Sequence, residues 1–149
     1  RTYASEAAAA SSKGKLTLNF VLPHQALYKK TEVQQVNLSA TSGDMGILAD
    51  HVSSIEQLKP GVIEIIVDAN KTEKYFVSGG FAVINPDSSL NINAVEAFQL
   101  EEFDREAVAQ GLAEAQRLAS ATNNEADKAE AQIQVEVYEA LNSALAASK

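Results

Sequence analysis

His24 and His51 are the only imidazoles in the 149-residue chain, and it has no cysteine. A serine triad needs a histidine beside an activated serine, and no Gly-x-Ser-x-Gly elbow is present. A zinc site would have to draw on carboxylates, and no suitably spaced set presents itself. Asp44, Asp50 and His51 share one loop region and have the types for general acid–base exchange. The plainer reading gives Asp44 to its own turn and lets His51 close the loop, and the residues favour it. Gly79-Gly80 raises the question of a phosphate loop. Such a loop needs a helix opening after the glycines and a Lys-Ser/Thr pair. Here an apolar strand follows instead, up to the Asn85-Pro86-Asp87-Ser88 turn. The glycines therefore read as structural. No catalytic, cofactor-binding or metal-ligating residue is expected, and no cofactor.

The elements around these residues fall into two classes. Lys74 to Ile84 is one apolar strand stretch, with Tyr75, Val77, Phe81 and Val83 on one side and Phe76, Ala82 and Ile84 on the other. Apolar residues on both sides place it inside a structure. The glycine pair predicts a bulge, a bend or a close backbone neighbour within it. Before it, Leu16, Leu18 and Phe20 alternate up to Pro23, and Ala26 to Tyr28 and Val33 to Leu38 are short extended pieces. Thr41 to Gly46 reads as a polar loop, in which Gly43 and Gly46 permit a tight turn. Val62 to Val67 is a β-branched strand after the Pro60-Gly61 turn, and Leu90 to Val95 alternates again. Short strands with frequent turns and no helix between them predict a β-sandwich of about ten strands over residues 15–99.

Residues 100–149 are of another kind. From Asp104 onward there is no proline and one glycine, Gly111, among abundant alanine and glutamate. Val108, Leu112, Ala115 and Leu118 predict one helix with Asp104 as its N-cap. Ile133, Val137, Leu141 and Leu145 predict a second, opened by Thr122-x-x-Glu125 in the form of a capping box. Their short connection predicts an antiparallel hairpin, so the fold class is α+β. The hairpin's carboxylates, from Glu101 and Glu102 through Asp104 and Glu114 to Glu136 and Glu139, read as a solvated face or a charged surface for a partner. Residues 1–14, rich in alanine and serine, read as a flexible tail. The initial Arg1 is consistent with a targeting segment removed ahead of it.

A net charge of −8 argues against nucleic-acid binding, which depends on Lys and Arg displacing counterions. Apolar runs fall short of the roughly 18 residues that a membrane helix needs, so membrane association is expected to go through a partner.

Three segments carry a resemblance. They are Gly43-Asp44-Met45-Gly46-Ile47-Leu48-Ala49-Asp50-His51, then Leu58-Lys59-Pro60-Gly61-Val62, then Phe76-Val77-Ser78-Gly79-Gly80-Phe81. In order and spacing they resemble the signature segments of the F-type ATP synthase subunits called delta in mitochondria and epsilon in bacteria. The likeness runs from about Lys15 to the C-terminus, and Ala129 to Glu136 with Glu139-Ala140-Leu141 is similar to the mitochondrial form of the second helix.

The resemblance implies a non-catalytic part of the central stalk that transmits torque. It would lie beside the gamma subunit, on the membrane ring of c subunits, with the small mitochondrial epsilon subunit packed against it. That places it on the matrix side of the mitochondrial inner membrane. Asp44 and His51, with Gly43, Met45 and Gly46, would contact the c ring, whereas Gly61, Gly79 and Gly80 would be structural signature residues. One bacterial feature has no counterpart. The ATP-binding Asp-x-x-Arg-Ala motif would start at Asp104, but Ala107 and Val108 hold its last two positions. Of other classes, a ligand- or carbohydrate-binding sandwich would need a concave aromatic face, and only 6% of the residues are aromatic. An enzyme would need a constellation that the chain does not offer.

Overall fold

The period-two alternation from Leu16 onward becomes ten strands in the computed structural model, which describes residues 14–147. They are β1 (Leu16–Val21), β2 (Ala26–Val33), β3 (Gln35–Ala40), β4 (Gly43–Ile47), β5 (Ser54–Leu58), β6 (Gly61–Asp68), β7 (Lys71–Val77), β8 (Gly80–Ile84), β9 (Ser89–Ala94) and β10 (Ala97–Gln99). A 3-10 turn at Leu100–Glu102 leads to the helices α1 (Arg105–Ala121) and α2 (Glu125–Ala147). The tail expected at the N-terminus lies, up to residue 13, outside the described residues.

The strands follow one another in the order β10-β7-β6-β3-β5-β8-β9-β1-β2, with β4 paired to β3 off that path. The sheet curls until its halves face each other. Phe20 of β1 meets Tyr75 of β7 edge to face at 5.7 Å, and the Tyr28 hydroxyl of β2 donates to Glu73 of β7. Burial pushes the Tyr75 phenol above its ordinary pKa. Between the halves, Leu16, Leu18, Phe20, Ile65, Leu90 and Ile92 are fully buried. Each such side chain contributes roughly 1.5–3 kcal/mol relative to exposure.

The curl has its corner at the glycine pair. Leu58 pairs with Gly80, and three residues along both chains Gly61 pairs with Val77. Ala94 likewise pairs with Gly80, and Ala97 with Val77. Three ribbons, β5–β6, β7–β8 and β9–β10, thus keep register while bending together from one half to the other. Gly80 is the middle of the bend, at φ +148. A Cβ there would collide with the Asn93 carbonyl oxygen and lie 2.8 Å from the Ala94 Cα. Both are backbone atoms, so no rotamer change relieves the clash.

The corner also corrects the reading of Lys74 to Ile84 as one strand with two apolar sides. β7 and β8 lie in different halves, and the bend shifts the alternation by one residue. Tyr75, Val77, Ala82 and Ile84 all face the sandwich core, Phe76 faces the helices, and Phe81 is exposed. A second correction concerns Thr41 to Gly46. Only Thr41-Ser42 turns, and Gly43 already pairs with Ala40 as the start of β4.

The helices close a smaller core on the outside of β6 and β7. Phe76, Leu100, Val108, Leu141 and Leu145 form it, with Val62, Phe103 and Tyr138 packed against them. Asp104 caps α1, its carboxylate accepting from the Glu106 N–H at 2.8 Å. The capping box read at Thr122 is not formed. Thr122 closes α1 instead, its hydroxyl donating to the Leu118 carbonyl, while Asn124 accepts from the Ala126 N–H at the start of α2. Buried alanines, Ala115 and Ala131, let the helices approach, and the Tyr138 ring lies over Gly111. Toward the far end of the hairpin Leu118 and Ile133 are exposed, not buried as their spacing suggested.

Candidate functional site

Among the described residues β4 has one strand neighbour, β3, and it has two chemically different ends. At the first end Gly43 takes φ +132, a backbone region that suits glycine. Asp44 follows, opposite Ser39 in register. The Ser39 hydroxyl bonds to it and the Lys59 ammonium stands 3.6 Å away, and together they hold its carboxyl below the usual range. Next to this pair the Ser42 hydroxyl donates to Glu56 at 2.7 Å. Gly61 leaves room for Ser39, whose Cβ would be 3.3 Å from any side chain there. Met45 pairs with Leu38 and is half-buried against the sandwich core.

Gly46 makes way for a line of polar side chains across the sheet. Gln35 Nε2 donates to Asn37 Oδ1 at 2.6 Å, Asn37 Nδ2 donates to Glu64 at 2.8 Å, and Lys74 pairs with the other Glu64 oxygen at 3.5 Å. A Cβ on Gly46 would stand 3.0 Å from both Asn37 Oδ1 and Gln35 Nε2.

At the other end the chain leaves the sheet, from Leu48 to Ser53. Asp50 has the left-handed φ of 60, and its N–H donates to Ser88 Oγ at 2.9 Å. The Ser88 hydroxyl donates back to Asp50 Oδ1 at 3.0 Å. His51 Nδ1 lies 2.8 Å from the Val52 carbonyl. A carbonyl only accepts, so that nitrogen carries the proton and Nε2 is left for a partner.

Asp44, Asp50 and His51 are therefore not joined as an acid–base group. Asp44 belongs to Ser39 and Lys59, Asp50 to Ser88, and His51 to its own backbone, with a strand rising about 3.3 Å per residue between the first and the others. Sequence reading missed Ser39, Lys59 and Ser88. Lys59 stood in view inside the second signature segment. Ser88 had no signal, because its contact with Asp50 spans 38 residues.

This arrangement sits on a recognisable scaffold. Residues 15–100 match the family model of the ATP synthase delta/epsilon chain, beta-sandwich domain. The chain belongs to that family. It is 53% identical over 131 residues to the mitochondrial ATP synthase subunit delta of Neurospora crassa, covering 88% of this chain and 79% of that protein. It is 52% identical over 145 residues to the Saccharomyces cerevisiae protein of the same description, covering 97% and 88%. Among solved structures it superposes with a TM-score of 0.83, at 33% identity and covering 89% and 82%, on a chain of the Euglena gracilis mitochondrial ATP synthase solved as OSCP, F1 and c ring. Its place is the mitochondrial inner membrane, in keeping with the delta branch it matches. Among the described residues no helix is long and apolar enough to cross a membrane.

Proposed function

We propose that the chain is a non-catalytic rotor part of the ATP synthase, which joins the gamma subunit to the c ring and passes torque between them on the matrix side. Its likeness to a chain within a solved F1 and c-ring assembly carries this reading. The fold supports it mechanically, since three ribbons bent in register make a stiff body. The ring contact is assigned to Gly43, Asp44, Met45, Gly46 and His51, along the edge strand and the loop beyond it. The outer face of β5 and β8 exposes Ile55 and Phe81, at 73% and 53%, and offers gamma an apolar surface. The mitochondrial epsilon subunit completes the set of partners.

Depletion and add-back test the reading. Enzyme stripped of this chain, in vesicles, is expected to hydrolyse ATP without pumping protons, and the purified chain should restore pumping. Full proton pumping in its absence would overturn the coupling role.

A further inference from the structure

A contact that turns with its partner must resist shear, and the exposed pair of Asp44 and Lys59 is poorly suited to do so alone. Exposed ion pairs are weak and screened by salt. Apolar anchors in a fixed frame serve better. The loop after β4 supplies two aliphatic side chains in solvent, Leu48 at 53% and Val52 at 80% exposure. Each flanks the Asp50–His51 pair.

What sets this loop apart is how firmly it is held. Apart from the core tyrosines, Ser88 is the only buried residue with a polar side chain among the described residues, at 6% exposure, and its hydroxyl both accepts from and donates to Asp50. Ser88 is itself tied to the sandwich, its carbonyl accepting from the Thr17 N–H of β1 at 2.9 Å. Both residues take the left-handed φ of 60. That conformation is uncommon outside glycine and persists where surrounding bonds fix it. A line of restraint thus runs from β1 through Ser88 and Asp50 to the loop. A loop ordered before binding loses less entropy when a partner settles on it.

We infer that Asp50 and Ser88 are positioning residues, which hold the loop so that Leu48 and Val52 form the apolar anchors of the ring contact. The inference rests on the ring reading above. The partner surface it calls for is the carbon surface of ring loops, with polar groups around it to meet His51.

Full-length variants in the assembled enzyme test this. Asp44→Cys, in a chain without native cysteine, gives crosslinking to c subunits as the common readout. Ser88→Gly suits the left-handed backbone and removes both bonds to Asp50. Asp50→Asn also suits that backbone and keeps the Oδ1 acceptor. Leu48→Ser combined with Val52→Ser alters the two exposed anchors alone. Ser88→Gly and the Leu48→Ser/Val52→Ser pair are each expected to lower crosslinking about tenfold. Asp50→Asn should stay within about twofold of the parent, a difference that general loss of stability would not produce. Crosslinking unchanged in the Leu48→Ser/Val52→Ser pair, or lost equally in Asp50→Asn, would sink the inference while leaving the ring reading intact. No crosslink from Asp44→Cys in the unaltered loop would sink both. Should Ser88→Gly fail to melt cooperatively, the exposed pair decides.

Discussion

The sandwich and the helical hairpin both close on an apolar seam, but from different materials. The sandwich buries Phe20, Leu16, Ile63, Ile65 and Ile92 almost completely, between two halves of one continuous sheet. The hairpin buries Val108, Ala115, Ala131, Leu141 and Leu145, and two of those five are alanines. Alanine buries little area, and most helical stability in a protein comes from the packing of an apolar face. The hairpin borrows its remaining core from Phe76 and Val62 on the back of the sandwich. The difference predicts a division of roles, with a β body that folds by itself and a hairpin whose order depends on its landing face.

The sharpest way to break this comparison is at the corner. Gly80→Ala sets a Cβ against the backbone of Asn93 and Ala94, where neither strand can retreat without losing its pairing. The loss is expected to exceed about 4 kcal/mol, the range of severe core disruption. Urea unfolding followed by circular dichroism should show no cooperative β transition. A variant that unfolds near the parent midpoint would show that the corner is compliant.

Phe76→Ala probes the landing face. Phe76 is 4% exposed and stacks edge to face on Phe103 at 6.0 Å. Truncation should cost about 3 kcal/mol, confined to the hairpin because the side chain lies outside the sandwich core. Amide exchange should quicken throughout α1 and α2 while β1 and β9 stay protected. Exchange rising equally in β1 would mean that the two parts unfold as one.

What the sequence made legible follows the same division. Strand alternation at Leu16, Leu18 and Phe20 and helical spacing at Val108 and Ala115 could be read directly, because each depends on neighbours within a few residues. The glycine pair announced a bend for the same reason. It could not announce which way the alternation would shift, since that depends on β5 and β9 bending alongside. The strand character of Gly43 to Ile47 was hidden by two glycines and an aspartate, all poor strand formers. Pairing with β3 overrides that preference. Thr122 and Asn124 both have capping side chains, and only the end of α1 decides between them. At the candidate site the signature segments pointed to Asp44 and His51, whereas the Ser88 restraint needed the fold.

The smallest expected effect separates charge from packing within the β body. Ser39 and Lys59 hold the Asp44 carboxyl below its ordinary range. A carboxyl whose folded pKa is depressed stabilises the fold fully above its unfolded value, about 3.9, and loses that contribution as pH falls through the lower folded value. Asp44 is 79% exposed, so screening leaves about a few tenths of a kcal/mol. Asp44→Asn should therefore lower urea stability slightly at pH 7, and the gap should close as pH falls through the lowered folded value, where the parent carboxyl is protonated too. At pH 7, added salt should shrink the gap between parent and variant, because the Lys59 attraction is screened. The Ser39 bond is local and would persist. A gap that survives molar salt would assign the effect to Ser39 and to the β3–β4 hairpin's own geometry. No gap at any pH would mean that Asp44 adds nothing to the fold, leaving its charge entirely to whatever partner the edge strand meets.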